Sequence, residues 1–413
     1  MANKKKVLIF IPEFPGLTET FIEREVSKLA ESPSLQVEVL SLKKGNGTLS
    51  TNSQNITSYI ELSWIDIVLS LKYLFIYPIR VIKAFSIILQ NKNRTILENM
   101  YLFLKSLGYT YVFETHYPDV IYSHFMSEPS TICLIASLIL NKKLGISAHA
   151  KDVLQEGGPI SENVELIKFK VMYSSFITVC NDNAYKKLLK KCEIKYPKNI
   201  YLKYHGIDES WLKGQVKDSI SPFVPKKPIL FSIGRFVEKK GFAYLLEAAK
   251  ILKEKDIDFK LYIVGAPGPL YAGILDMLNV LEIKDKVEIV GEGNGLSFDE
   301  ILGYYKIADI FVFPSVNVSK GDADGIPNVL IESAILNIPI ITTDAGSITD
   351  FIEDKKDGLI VAQRDSRDLA KALEKLITHK ELQKKLAKSA HDKALELFNI
   401  DTNVKEIEKL LLS

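Results

Sequence analysis

Short apolar runs recur along the chain, each closing in polar residues and most followed by a stretch whose apolar positions fall three and four apart. The first, KVLIFI from Lys6 to Ile11, is continuous and of strand length, the pattern of a parallel strand covered on both faces. The loop PEFPGLT follows it. Thr18 or Thr20 is then placed to cap a helix over TETFIEREVSKLAES, in which Phe21, Ile22, Val26 and Leu29 recur at helical spacing. QVEVLSL supplies a second strand, so the chain opens as a βαβ unit. DVIYSHF, KLGISAH and SFITVCN read as further strands. They end in Ser123-His124, in His149-Ala150-Lys151-Asp152 and in Asn181-Asp182, polar residues of the kind found where a parallel sheet opens into a binding crevice. NIYLKYHGID from Asn199 closes this half. The stretch up to Pro228, poor in apolar pattern and carrying Pro222, Pro225 and Pro228, reads as an interdomain linker.

A second series then runs through PILFSIG, FKLYIVG, KVEIVG, DIFVFPS, IPIITTD and DGLIVA, with helical segments between. The pattern predicts an α/β chain of two doubly wound, Rossmann-like parallel-sheet domains facing each other across a cleft. Their bounds are residues 1–207 and 208–395, with a helical tail over 396–413 that packs back on the first. Two stretches interrupt the alternation. Residues 43–60, rich in Ser, Thr, Asn and Gly, read as a loop. Trp64 to Leu89 is the most apolar region, but Asp66, Lys72, Arg80, Lys83 and the break at Pro78 argue against a membrane-spanning helix. Two amphipathic helices are expected there, lying in a membrane interface or packed on the core.

Composition narrows the class. With 413 residues, 47% of them hydrophobic and 25% charged, the chain is long enough for two globular cores. A net charge of +2 gives no bulk argument for nucleic acid. Cys133, Cys180 and Cys192 stand in different segments with no metal-ligand spacing, so neither a disulfide framework nor a zinc site is expected. The N-terminal apolar run meets Pro12 and Glu13 too soon for a signal peptide, and the reading is of a reduced, cytosolic protein.

Two segments carry candidate chemistry. GDADGIPNVLIESAILN, Gly321 to Asn337, sets Asp324 and Glu332 on either side of a Gly325-Ile326-Pro327 turn that leads into a helix. Pro327 suits a first helical turn. The backbone donors of Asn328, Val329 and Leu330 would then face a hydroxyl or an anion, with Glu332 one turn on and Asn337 as a left-handed cap. A solvated surface loop and a metal-binding pair, Asp322 with Asp324, are the competing readings. The second segment, GRFVEKKG, brings Gly234 and Arg235 to a strand's end and Lys239, Lys240 and Gly241 to a helix start. Arg235 and Lys240 can neutralise a diphosphate leaving group without a metal.

GRFVEKKG and DGIPNVLIES, with FPGLTETFIEREV and SAHAKD earlier in the chain, resemble glycosyltransferase family 4, retaining enzymes of the GT-B fold. The likeness is greatest to bacterial transferases of exopolysaccharide and colanic acid-type biosynthesis. It implies a hexosyltransferase that needs no cofactor and moves a sugar from a nucleotide diphosphate sugar, a UDP-sugar ahead of GDP-mannose, to a saccharide or lipid-linked acceptor. By resemblance, Arg235 and Lys240 hold the donor diphosphate, Glu332 the ribose hydroxyls, Asp324 and His149 the transferred sugar. Gly16 meets the diphosphate from the other domain. Thr18, Asp152, Asn181, Gly234 and the turn from Gly325 through Val329 complete the expected binding set. Asp324 stands where the family usually has Glu, Asn337 replaces the usual Gly, and Ala345-Gly346-Ser347 replaces a common Gly-Gly pair, which requires Ser347 to avoid a positive φ. The resemblance also implies a front-face mechanism in which the leaving diphosphate helps deprotonate the acceptor. A nucleotide-sugar epimerase or hydrolase and a non-catalytic nucleotide-binding scaffold are the alternatives.

Overall fold

The central strand of the first sheet decides how the chain is layered. In β1 (Lys5–Phe14), Val7 through Ile11 are all buried, with Leu8 and Phe10 facing one apolar cluster and Val7, Ile9 and Ile11 facing another. A parallel strand flanked on both sides has no face left for water, so helices must cover both. The computed structural model describes residues 4–16, 19–149, 152–153, 163–218, 226–266, 268–292, 295–318 and 325–413. These form two units, residues 1–206 with 400–413 and residues 207–399.

The first unit holds a parallel sheet of order β3-β2-β1-β4-β5-β6-β7, made of β1, β2 (Leu35–Lys44), β3 (Thr57–Tyr59), β4 (Val120–His124), β5 (Lys143–Ala148), β6 (Phe176–Val179) and β7 (Ile200–Leu202). Its helices are α1 (Thr20–Ala30), α2 (Thr51–Ile56), α3 (Trp64–Ser70), α4 (Tyr73–Ile76), α5 (Pro78–Ile88), α6 (Ile96–Thr115), α7 (Glu128–Leu140), α8 (Val164–Tyr173) and α9 (Asp182–Cys192). Several differ from the reading of the sequence. Thr20 is the first residue of α1 and not its cap, since Glu19 occupies that place, its side chain making no capping hydrogen bond. Thr18 lies outside the described residues. The polar stretch 43–60 is no continuous loop, because the same Ser and Thr content supplies a cap: Ser50 Oγ accepts from Ser53 N and opens α2. The first of the two expected apolar helices is divided at Leu71-Lys72 into α3 and α4, whereas α5 starts at Pro78, where a missing N–H costs nothing.

In the second unit the stretch read as a linker contains α10 (Glu209–Asp218), which buries Leu212 and packs on α13 below; residues 219–225 are not described. The sheet has the order β10-β9-β8-β11-β12-β13, from β8 (Ile229–Arg235), β9 (Lys260–Ala266), β10 (Val287–Val290), β11 (Ile310–Phe313), β12 (Ile340–Thr343) and β13 (Leu359–Val361), again all parallel. Helices α11 (Phe242–Glu254), α12 (Tyr271–Val280) and α15 (Ser366–Thr378) cover one apolar face. Aromatic packing of Phe231 and Phe311 on Tyr305 joins α13 (Phe298–Ile307) to the sheet. α14 (Asn328–Ile335) and α16 (Lys380–Leu397) pack together, and α17 (Ile400–Leu412) returns to the first unit. There Ile400, Val404, Ile407 and Leu411 join the cluster of Val7, Ile9 and Ile11. Gly206 allows this approach, because a Cβ would stand 2.3 Å from Ile400 Cα.

α14 ends in a full Schellman closure: Asn337 N–H donates to Ala334 O and Ile338 N–H to Ser333 O, both at 2.9 Å, with Asn337 at φ 60°. Gly346 takes φ 61° while Ser347 sits at −109°, so the Ala-Gly-Ser departure is free of backbone strain. A β-branched residue at 337 would hold Cβ against the carbonyl in this left-handed well. Asn337→Val is therefore expected to lower stability by about 1–2 kcal/mol, and Asn337→Gly to leave it level or raise it. Urea midpoints check this: a midpoint unmoved by Val would remove the account.

Candidate active site

In the second unit β8 is flanked by β9 on one side and β11 on the other, so the chain order reverses between β8 and β11. Ligands of open parallel sheets bind outside the carboxyl ends of strands at such a point. Both candidate segments emerge there. Gly234 and Arg235 end β8, a 3-10 turn over Glu238–Lys240 follows, and Gly241 at φ 65° enters α11. Only Gly fits at 241, since a Cβ would lie 1.9 Å from Pro314 O, just past the end of β11. The turn is tied to the same neighbour: Lys239 O accepts from Val316 N at 2.9 Å and from Ser315 Oγ at 2.8 Å.

Lys240 and Arg235 are held differently. The Lys240 stem passes over Gly234, where a Cβ would meet its Cγ and Cδ at 3.2 Å, and its Nζ stands 4.7 Å from the ring centroid of Phe313 at the end of β11. A ring face attracts a cation of this kind. Arg235 is exposed, and among the described residues its guanidinium makes no hydrogen bond or ion pair.

After β11 the chain reaches α14 through residues 314–327, of which 319–324 are not described; Asp324 and its neighbour Asp322 fall there. Gly325, Ile326 and Pro327 are half-buried. Pro327 is the N-cap, with ψ 131°, and not a first helical residue. The Leu330 amide donates to Pro327 O at 3.0 Å, which leaves the amides of Asn328 and Val329, two donors and not three, at the helix N-terminus among the described residues. Glu332, 8% exposed, accepts from the Tyr305 hydroxyl at 3.2 Å. Burial, and then the charge of Glu332, hold the Tyr305 phenol well above its ordinary range, so it stays a donor and fixes the carboxylate.

In the first unit the order reverses between β1 and β4. Gly16 follows β1 and is buried, with Glu19 Oε2 2.7 Å from where its Cβ would stand and its carbonyl covered by Gly47. His149 follows β5. Its position is set by Asp152, whose Oδ2 accepts from His149 N at 3.0 Å and from Met126 N at 2.8 Å. Asp152 is thus a brace for that turn. Asn181 caps α9 through Oδ1, which accepts from Ala184 N at 2.8 Å, a structural use of the residue.

The sequence did not single out what surrounds His149. His124 and His205 lie with rings near-parallel to it, at centroid distances of 5.6 and 5.2 Å, and Phe21 stacks on His205 at 3.9 Å. Burial lowers both His124 and His205 to about 3, so they are neutral imidazoles. His124 Nε2 is 3.5 Å from Glu25 Oε1, and burial raises Glu25 to about 7 against the opposing hydrogen bond from Tyr122. Cys180, in no disulfide and one residue past β6, joins His149 and His205, with one ligand atom of each within 4.8 Å of the others. The polar strand ends marked this region in the sequence, but residues from separate strands show no spacing pattern.

Known proteins align with this geometry unevenly. WcaL of Escherichia coli K12, assigned by name to colanic acid biosynthesis as a glycosyltransferase, is 33% identical over 150 residues, 36% of each chain. The amylovoran biosynthesis glycosyltransferase AmsK of Erwinia amylovora is 32% identical over 147 residues, 36% of this chain and 35% of its own. The chain thus spans little more than a third of the length of these relatives. Among solved structures, a glycosyltransferase of Rickettsia africae covers 99% of this chain and 98% of its own at TM-score 0.71 and 14% identity. Anabaena HepE in complex with UDP covers 98% and 99% at TM-score 0.66 and 16% identity. At such identities the likeness establishes the fold, two Rossmann-like parallel-sheet domains of the GT-B class. Residues 215–393, within the second unit, match the family described as Glycosyl transferases group 1.

Proposed function

We propose that the chain is a retaining glycosyltransferase of family 4 that moves a hexose from a nucleotide diphosphate sugar, a UDP-sugar ahead of GDP-mannose, to a saccharide or lipid-linked saccharide in surface polysaccharide biosynthesis. One observation carries this reading: Arg235, Lys240 and the braced Glu332 all belong to the reversal point between β8 and β11. A diphosphate needs positive donors, and a ribose needs a fixed acceptor. The relatives named for colanic acid and amylovoran synthesis, and HepE with its UDP, support the choice of donor class and process.

In this reading Arg235 and Lys240 hold the diphosphate and neutralise it as the glycosidic bond breaks, the term that dominates when developing charge meets preorganised donors. Glu332 accepts from the ribose hydroxyls, and the Asn328 and Val329 amides with Asp324 serve the sugar. His149 contacts the transferred sugar and Gly16 the diphosphate. The departing phosphate oxygen takes the acceptor proton, so no side-chain nucleophile is required.

The acceptor side has its own surface. Trp64, Phe75 and Ile79 are 73%, 85% and 81% exposed, and Ile82, Ile96, Leu97 and Tyr101 extend the apolar face onto α5 and α6. Between residues 64 and 105 stand the cations Lys72, Arg80, Lys83, Lys92, Arg94 and Lys105 against the acids Asp66 and Glu98; Lys72 is paired with Glu114, and Arg94 and Lys105 with Glu128, so the excess rests on Arg80, Lys83 and Lys92. Among the described residues no helix is long and apolar enough to cross a membrane. An apolar face with a cationic excess fits the interface of an anionic bilayer, where a lipid-linked acceptor would be presented.

Lys240→Ala is expected to lower kcat roughly a hundredfold, because its partner charge grows in the transition state, whereas Glu332→Gln raises donor KM with the smaller effect on kcat. Donor turnover run with a chelator should equal the untreated rate. A saturated Lys240→Ala rate equal to wild type, or activity that needs added magnesium or manganese, would overturn the assignment. For the surface, the protein should float with anionic vesicles at low salt and lose this with Phe75→Asp/Ile79→Asp. Wild type left at the bottom of the gradient would exclude a membrane face.

A further inference from the structure

The carboxyl ends of β5, β6 and β7 converge on a second chemistry. These strands are neighbours in the sheet, with Ala148 opposite Val179 and Val179 opposite Leu202. His149 and Cys180 are the next residues of their strands, side by side at the interstrand spacing, and His205 comes three residues beyond β7. One ligand atom of each lies within 4.8 Å of the others. His205 Nε2 is shut off from solvent with no hydrogen-bond partner among the described residues, although the residue as a whole is only half-buried. Phe21 and Phe125 wall the group, with ring centroids 5.2 and 4.6 Å from that of His149.

We propose that His149, Cys180 and His205 form a three-ligand site for a borderline-soft divalent cation of the zinc class, whose occupation inhibits the enzyme by withdrawing His149. Two imidazoles and a thiolate, with no carboxylate among them, suit zinc or cobalt and not magnesium or calcium. At zinc bond lengths, tetrahedral N and S ligands stand about 3.3–3.6 Å apart, so the three atoms must close by up to about 1.5 Å. The near-parallel rings of His149 and His205 must also turn to bring both lone pairs onto one point. Binding forms bonds to two imidazole nitrogens and to sulfur, and the Cys180 thiol releases its proton to solvent. Arg24 acts electrostatically on His205, which disfavours a dication held by neutral ligands alone; the thiolate supplies the compensating charge. A fourth position stays open to water or a hydroxyl. The binding site stands on this geometry, and the inhibition rests on the role given to His149 above.

Cobalt(II) is the probe. Titrated into the full chain it should give a thiolate-to-cobalt charge-transfer band with tetrahedral visible bands at one equivalent, displaced by zinc and not by magnesium. Cys180→Ser should abolish the band, and His205→Gln should weaken cobalt binding at least tenfold, each with the thermal unfolding of metal-free wild type. In wild type, zinc should also slow alkylation of Cys180 at least tenfold, a measurement that needs no variant. No band, a band that survives Cys180→Ser, or unprotected alkylation would each overturn the site. Micromolar zinc should lower donor turnover at least fivefold in wild type and change that of Cys180→Ser less than twofold from its own metal-free rate. Cobalt bound with turnover unaffected would overturn the inhibition and leave the site. A chain that transfers no sugar but shows the band would overturn the proposed function and not the site.

Discussion

Parallel strands joined by helices must bury both of their faces, and the rest of this molecule follows from that requirement. Val7, Leu8, Ile9, Phe10 and Ile11 leave no solvent side to β1, so α6, α7 and α8 are drawn to one face and α1 and α17 to the other. With the faces occupied, the strand ends are left open to chemistry, and Arg235, His149 and Cys180 all stand within a residue of a strand terminus.

Within the second unit, two glycines settle how close β8 and β11 bring their loops. Gly241 lets the turn meet Pro314, and Gly234 lets the Lys240 stem lie flat across the strand end. The ring of Phe313 then faces the ammonium, a contact worth on the order of 0.5–1 kcal/mol at an accessible site.

The continuous strands were legible because burial on both faces erases alternation: VLIFI from Val7 and IFVF from Ile310 have no polar positions to confuse with a helix face. Residues 43–60 were not, since Ser50 and its neighbours look like loop residues until Ser50 is seen capping α2. The short helix at Glu209–Asp218, which buries Leu212, was hidden in the sequence by the prolines that follow it. At the site, the two motifs were visible as local strings, and their meeting at one reversal point followed from strand order. Cap geometry was less so: Leu330 satisfies its amide on Pro327, a bond that a helix start drawn one residue later requires. The grouping of His149, Cys180 and His205 spans 57 positions of sequence and exists only once three strands lie side by side.

The chain leaves its first unit at residue 206 and re-enters it at residue 400. During synthesis, the face of β1 that carries Val7, Ile9 and Ile11 therefore lacks part of its cover until Ile400, Val404, Ile407 and Leu411 have emerged, long after the sheet beneath could have paired. The second unit is contiguous in sequence and completes its sheet before that happens. The half of the protein made first is thus the half that matures last, with an apolar strip exposed in the interval, a period in which partly folded chains are prone to associate.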